Sequence, residues 1–351
     1  MTSGKVALAG LSAAEISESL GLSPAFRGRQ VFRWIGKGAE SFGEMTDIGS
    51  ALRAELEEKA VLRSSSVSRS LRDGDGTEKL QIALQDGLAV EAVLLTDRGG
   101  RRTACLSCQV GCAMGCAFCQ TGRLGFARNL SAGEIVEQFL FLEKRAGPLD
   151  NIVFMGMGEP MMNLPGVRKA VAVLTDGDGR GFSARRITLS TSGVVRGIYD
   201  LADNGPAVRL AVSLTTADEA LRGELMPVAR ANPLGDLREA IVHFTRRTGR
   251  RVTLEAALLH GKNTGDGSAE NLVRFAKGLG AHVNLIPWNP VEGLPFEEPT
   301  AAECARFMRR LNEAGLNATL RARRGRGVGG ACGQLGKTLP GRGAGFFDNS
   351  F

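Results

Sequence analysis

The sequence contains no apolar run approaching the roughly 18 residues that a membrane span requires. Its first residues, Met1 to Leu11, carry a single Lys and no extended apolar core, so they do not read as a secretory leader. Histidine is scarce, and His243, His260 and His282 are too scattered to form a metal set. Lysine is scarce as well, nine residues against 35 Arg. Wholesale disorder is excluded by ordinary globular values of 43% hydrophobic and 23% charged residues. A cytoplasmic protein with no membrane association is expected. At 351 residues the chain can make one large domain with an appendage, or two modest domains.

What is present is arginine and cysteine. The net charge is +7, with an isoelectric point near 9.2. Guanidinium groups match phosphate and stack on bases, so the excess points to a polyanionic partner, nucleic acid first. An Arg-rich genome composition accounts for it equally well. The seven cysteines are Cys105, Cys108, Cys112, Cys116, Cys119, Cys304 and Cys332, and five of them fall within fifteen residues. In a reducing compartment such a cluster reads as metal-binding or catalytic rather than as a disulfide framework. Cys304, on a helical segment, and Cys108 read as packing residues.

Residues 1–62 read as a small helical accessory domain, with helical spacing over 12–20, 27–36 and 48–60. Residues 63–100 change period. Three β-rich stretches, 67–72, 78–84 and 88–96, are separated by Asp73-Gly-Asp-Gly76 and Asp86-Gly87, the turn residues of an antiparallel meander. From 101 to about 340, strands expected at 151–156, 186–190, 209–214, 252–258 and 282–287 alternate with helices expected at 131–145, 167–174, 234–248, 269–279 and 301–314. Ser131 with Glu134 three residues on is a capping-box pattern. Repeated βα units imply a parallel sheet, open or closed into a barrel, with helices outside. The end, from Arg321, is Gly- and Arg-rich and reads as a functional loop followed by a tail over 341–351.

Cys112-Ala-Met-Gly-Cys116-Ala-Phe-Cys119 is a C-x3-C-x2-C arrangement. Three thiolates so close can grip one face of an iron–sulfur cube and leave its fourth iron open to a small chelating ligand. Ordinary electron-transfer cubanes use four Cys, and structural zinc closes its site with four protein ligands. Cys105 and Cys108 could complete a zinc site, so a zinc-holding RNA-binding module stays open as an alternative. Gly156-Met-Gly-Glu159 follows a strand end, where glycines let a ligand approach and Glu159 can accept from an amino group. Cys332 stands among Gly325, Gly327, Gly329, Gly330 and Gly333, a setting that favours mobility and exposure. Trp34 reads as a staple of the helical domain or a base-stacking residue. Arg246, Arg247, Arg250 and Arg251, with the Arg residues of 321–326, are candidate phosphate contacts.

These features occur in a telling order. Cys105-Leu-Ser-Cys-Gln-Val-Gly-Cys112, Gly156-Met-Gly-Glu-Pro160, Arg186-Ile-Thr-Leu-Ser-Thr-Ser-Gly193, Ile286-Pro-Trp-Asn-Pro290 and Ala331-Cys-Gly-Gln-Leu335 follow one another. Together they resemble the RlmN/Cfr family of radical S-adenosylmethionine RNA adenine methyltransferases. Phe26-Arg, Gln30, Trp34 and Phe42-Gly-Glu-Met-Thr46 resemble that family's helical accessory domain, and the resemblance spans about residues 12 to 340.

The resemblance implies an α/β fold, a partial (β/α)6 radical-SAM barrel carrying the helical domain and the β-meander. It implies one 4Fe-4S cluster on Cys112, Cys116 and Cys119, and S-adenosylmethionine, two molecules per turnover. Cofactor contacts fall on Gly158, Glu159, Ser190, Ser213, Leu214, Thr215 and Asn289, all near the C-terminal ends of expected strands. Cys332 would carry the methyl group, Cys105 would close a transient disulfide on it, and Glu91 would accept a proton. On composition alone Glu91 reads as a solvent-facing strand carboxylate. The implied substrate is C2 of adenosine in 23S rRNA, with tRNA as a second candidate. Pro160 and Trp288 match the C2 branch, and a C8 methyltransferase or a radical enzyme with another substrate is the alternative. An external, flavodoxin-like electron donor and a monomeric state are also implied. The chain departs from the family in two places. Thr215 replaces a His, and Gly327 and Gly329 stand where carboxylates precede the late Cys, removing negative charge and adding mobility.

Overall fold

The computed structural model describes residues 4–336. The expected tail, 341–351, and the last residues of the expected 101–340 unit lie outside the described residues.

The chain begins with β1 (Val6–Ala7), α1 (Ala13–Leu20), α2 (Phe26–Gly36), α3 (Ser50–Lys59) and β2 (Ala60–Val61), which pairs parallel with β1. Ser12 caps α1 reciprocally with Glu15, so the first helix starts where orphan N–H groups are satisfied. The helices bury Ile16, Val31, Phe32 and Ile35 in a core continuous with that of the rest of the chain. Glu137, fully buried, fixes the junction. Its carboxylate accepts from Ser64 N at 2.7 Å, Ser65 N at 2.8 Å and both serine hydroxyls.

Next come β3 (Ser66–Arg72), β4 (Glu78–Ala83), β5 (Ala89–Thr96) and β6 (Arg102–Cys105). A short hairpin, β7 (Gln109–Gly111) and β8 (Phe126–Asn129), encloses α4 (Gln120–Arg123) and leads into α5 (Ala132–Ala146). The alternation then runs β9 (Asn151–Phe154), α6 (Leu164–Thr175), β10 (Ile187–Thr191), α7 (Val195–Asn204), β11 (Arg209–Ser213), α8 (Glu219–Leu225), α9 (Leu234–Thr248), β12 (Thr253–Leu258), α10 (Asp266–Ala276), β13 (His282–Pro287), α11 (Ala301–Glu313) and β14 (Asn317–Leu320). Ser131 and Glu134 form the expected capping box on α5.

The main sheet has ten strands in the order β14-β13-β12-β11-β10-β9-β6-β5-β4-β3. From β6 through β14 every neighbour is parallel, so six βα units end on a final strand and the sheet stays open. The antiparallel meander expected within 63–100 is present as β3–β5. β5 pairs antiparallel with β6, so the meander continues the barrel's own sheet. Accordingly β4 and β5 are buried along most of their length, on both faces. Strand β14 and helices α7 and α8 were not expected from the sequence.

Candidate active site

The C-terminal ends of the parallel strands open into a cavity of about 190 Å³. β9 leads to Gly156–Glu159, β10 supplies Ser190, β11 supplies Ser213 and Thr215, and β13 leads to Asn289. Cys112, Cys116 and Cys119 form one wall and Cys332 part of another. Active sites of parallel barrels gather at this end because the loops there are free to vary while the strands hold them.

The three cysteines lie on the excursion between β7 and β8. Gly125 O receives Cys112 N at 2.7 Å, and the end of α8 receives Ala117 N through Leu225 O at 2.9 Å. All three thiols are half-buried. Burial pushes Cys112 up to about 12, and Cys116 and Cys119 also upward. As thiolates they would therefore need a cation opposite them, which a bound metal would supply. Among the described residues no three His, Cys, Asp or Glu side chains converge to hold a single metal ion. A cubane asks for something else, three sulfurs spread over three irons. Cys105 and Cys108 do not complete a zinc set, for neither lines this cavity. Cys108 is buried, as is Cys304 in the core.

The expected cofactor contacts separate into groups. Gly158, Glu159, Ser190, Ser213, Thr215 and Asn289 line the cavity, and Leu214 does not, being wholly in the core. The hydroxyls of Ser190 and Ser213 stand 3.5 Å apart on neighbouring strands. Thr215 holds a left-handed backbone, φ 61°, secured by its N–H to Glu255 O and by Asn263 Nδ2 to its carbonyl. Asn289 Oδ1 is buried without a hydrogen-bond partner, an acceptor awaiting a donor, which suits an amine- and hydroxyl-rich ligand such as S-adenosylmethionine. Glu159 is a different case. Its carboxylate already accepts from Ser192 N at 2.7 Å, Ser192 Oγ at 2.8 Å and Met161 N at 3.0 Å, so it shapes the loop as much as it faces the cavity. Gly158 likewise answers to packing. At φ 100° it abuts Gln109, whose Cβ would lie 2.5 Å from any Cβ added here.

A second, smaller cavity of about 60 Å³ adjoins the first and brings together Cys105 at the end of β6, Cys332, Asn289 and Arg321. Burial, and then the neighbouring Cys332, push Cys105 up to about 12. Arg321 is drawn the same way, its guanidinium facing Cys332, Glu255 and Cys105. Arg321, one of the candidate phosphate contacts of 321–326, lies beside the two cysteines, a position for which the sequence carries no local signal.

Cys332 is exposed as expected, but its loop is far from loose. Gly325 N donates to Asp75 at 2.8 Å and Gly327 N to Asp73 at 2.9 Å, both on the β3–β4 turn. Lys79 Nζ reaches Gly329 O at 3.3 Å, and Asn289 Nδ2 reaches Cys332 O at 3.3 Å. Gln120 N binds Gly333 O, and Thr121 Oγ1 binds Leu335 O. The glycines that suggested mobility instead make room: a Cβ at Gly327 would sit 3.0 Å from Asp73 Oδ1. Glu91 lies on β5 but is fully buried, which rules out a solvent-facing carboxylate. It pairs with Lys79 at 2.9 Å and accepts from Gly336 N at 2.7 Å, behind the loop rather than on either cavity wall. Trp34 Nε1 donates to Asp47 at 2.5 Å, which makes it a staple of the helical domain.

At the opposite, N-terminal end of the strands a wide cavity of about 1060 Å³ is bordered by Arg101, Arg185, Arg209, Arg250 and Arg251. Among the described residues Arg185, Arg209, Arg250 and Arg251 form no ion pair, while Arg101 is held by Asp97 at 2.7 Å. Met155 stands between the two ends and borders all three cavities.

Residues 106–275 match the radical SAM superfamily, and residues 10–62 match the ribosomal RNA large subunit methyltransferase N-terminal domain. A probable dual-specificity RNA methyltransferase RlmN from Treponema pallidum is 56% identical over 332 residues, 95% of this chain and 98% of that protein. Its counterpart from Thermus thermophilus is 42% identical over 320 residues, 90% of each chain. The crystal structure of a radical SAM methyltransferase from Sphaerobacter thermophilus superposes with a TM-score of 0.91 at 42% identity, covering 94% of this chain and 99% of that one. Likeness of this extent, running through both the helical domain and the barrel, makes the chain a member of the RlmN family of radical S-adenosylmethionine RNA methyltransferases.

Proposed function

We propose that the protein methylates C2 of adenosine in 23S rRNA, with tRNA as a second substrate, through a methyl group carried by Cys332. One observation carries the reading: Cys332 borders both the cavity that holds the cysteine triad and the cavity that holds Cys105. A single side chain thus faces the methyl source on one side and a resolving thiol on the other.

Membership of the radical SAM superfamily implies a 4Fe-4S cluster, held here by Cys112, Cys116 and Cys119, and S-adenosylmethionine, held by Asn289, Ser190, Ser213 and the Thr215 segment. Together these supply a methyl group for displacement and, from a second cofactor molecule, the radical that removes a hydrogen from that methyl. The chain's own residues do the rest. Cys332 acts as the nucleophile, with the Arg321 guanidinium a fixed positive charge beside the sulfur. Asn289, by donating to the Cys332 carbonyl, helps to fix the backbone that carries the sulfur. Once the carbon is bonded to the base, the adduct must give up one electron, which the oxidised cluster would take back; the Cys105 thiolate then displaces the carbon from the Cys332 sulfur, forming a disulfide, and the released carbon takes a proton to become the methyl group. The ring must give up a proton, and Glu91 is the proposed acceptor, a buried carboxylate behind the Cys332 loop that accepts from Gly336 N. An external reductant, flavodoxin-like, resets the cluster and the disulfide, and the chain acts as a monomer.

Nucleoside analysis of RNA treated with reconstituted enzyme tests the reading. The expected product is 2-methyladenosine, and 8-methyladenosine as the sole product would overturn it.

A further inference from the structure

Glu255 is a buried carboxylate with half of its hydrogen-bonding capacity unused. It is 4% exposed. Its Oε1 accepts from Asn284 Nδ2 at 3.0 Å, whereas Oε2 has no partner among the described residues. Leaving such an acceptor unpaired away from water is costly, so the atom calls for a partner that the chain itself does not supply.

Its place in the sheet says which ligand. Glu255 on β12 is level with Ser213 on one side and Asn284 on the other. Ser213 borders the cofactor cavity, Asn284 borders the Arg-lined cavity, and Glu255 borders both. The orphan oxygen therefore stands where a group entering past the arginines would meet the cavity wall that carries Cys332. Phosphates suit the mouth, because its guanidinium groups match phosphate and four of them lack a protein anion. A base projecting inward from that backbone arrives at Glu255.

We propose that Glu255 Oε2 accepts a hydrogen bond from the exocyclic amine of the target adenine, making Glu255 a specificity-determining residue. The chemistry selects against guanine, whose ring carries a carbonyl oxygen at the same position and would face the carboxylate acceptor to acceptor. The amine and C2 flank the same ring nitrogen, so a grip on one orients the other. This inference rests on the adenosine methyltransferase reading above.

The test uses a 23S rRNA fragment bearing either adenosine or purine riboside, which lacks the amine, at the modified position. Wild-type holoenzyme is compared with Glu255→Gln and Glu255→Ala. Wild type should lose about tenfold to a hundredfold in kcat/KM when the amine is removed. In Glu255→Ala the same removal should cost less than about twofold, because the partner is already gone. Glu255→Gln, which presents a donor to the amine, should favour purine riboside. Methylation of Cys332, which needs no RNA, reports that the variants fold and hold cofactor. An equal amine penalty in all three proteins overturns the inference while leaving the adenosine reading intact. Loss of Cys332 methylation in both variants would assign Glu255 to the cofactor and likewise overturn it. A wild type that methylates no RNA would sink the reading itself.

Discussion

Two loops face each other across the cofactor cavity, and they are built in opposite ways. The loop with Cys112, Cys116 and Cys119 is local: three cysteines within eight residues, enclosed by the β7–β8 hairpin. The loop with Cys332 owes its shape to residues distant in sequence. Asp73, Asp75 and Lys79 come from the meander, Gln120 and Thr121 from the cysteine loop, and Asn289 from the end of β13. On the proposed reading, the first loop would need only a metal to complete it. The second needs a sheet that extends past the barrel, which explains why β3–β5 are joined to β6 rather than standing apart.

The sharpest break in this comparison comes from the cysteines themselves. Cys332→Ala and Cys105→Ala should each lower turnover by about a thousandfold or more, the scale expected when a covalent intermediate cannot form or resolve. They should differ in kind. Cys105→Ala should leave RNA covalently attached to Cys332, visible as a denaturation-resistant complex, and Cys332→Ala should not. Both should retain their iron, whereas Cys112→Ala should lose it in anaerobic metal analysis.

Next in size is the buried pair behind the Cys332 loop. Lys79 and Glu91 are both essentially unexposed, so Lys79→Met strands a carboxylate and should destabilise the fold by about 3–5 kcal/mol. Denaturant unfolding measures this. The double variant Lys79→Met/Glu91→Leu should recover part of the loss, because it removes both charges together.

Smaller effects are expected at the β3–β4 turn. Asp73→Ala should cost about 1 kcal/mol, the net value of one such bond, and slow turnover severalfold without altering iron content. Asp75 adds a pH dependence. Burial pushes its carboxyl up, but bonds from Thr77 and Gly325, with the charge of Arg324, outweigh that and leave it lowered. Because the folded value lies below the unfolded one, its stabilisation is present above the ordinary aspartate range. It is lost as pH falls through the lowered value. Asp75→Asn should therefore flatten the acid limb of the stability profile. Least of all, Arg251→Ala at the opposite mouth should weaken RNA binding a few-fold and reduce the logarithmic salt slope by about one.

The same contrast accounts for what could be read in advance. The cysteine triad, the capping box at Ser131 and the βα repeat are local signals; the capping box forms as its residues predict, and the repeat follows the expected strands and helices except at α7, α8 and β14. The anchors of Cys332 are not local, and glycine misled. Gly327 reads as a hinge, yet it is a vacancy filled by Asp73. Gly197 weakens the helical signal of α7 because Met161 packs against its Cα side, Cβ to Cβ at only 2.5 Å if a side chain were added. Strand β14 is short and polar, among the described residues paired only with β13, and hides in a segment with little hydrophobic alternation. Glu91 was visible as a strand residue, but only the sheet's continuation past β6 shows it to be buried. Glu255 had no motif at all.

The central claim is that the carbon delivered to RNA passes through Cys332. Enzyme carrying a deuterated methyl group on Cys332, given unlabelled S-adenosylmethionine and allowed a single turnover on a 23S rRNA fragment, tests it directly by mass spectrometry. The account predicts deuterium in the methylated adenosine and an unlabelled methyl or free thiol on Cys332. An unlabelled RNA product, with the deuterated methyl still on Cys332, would contradict it.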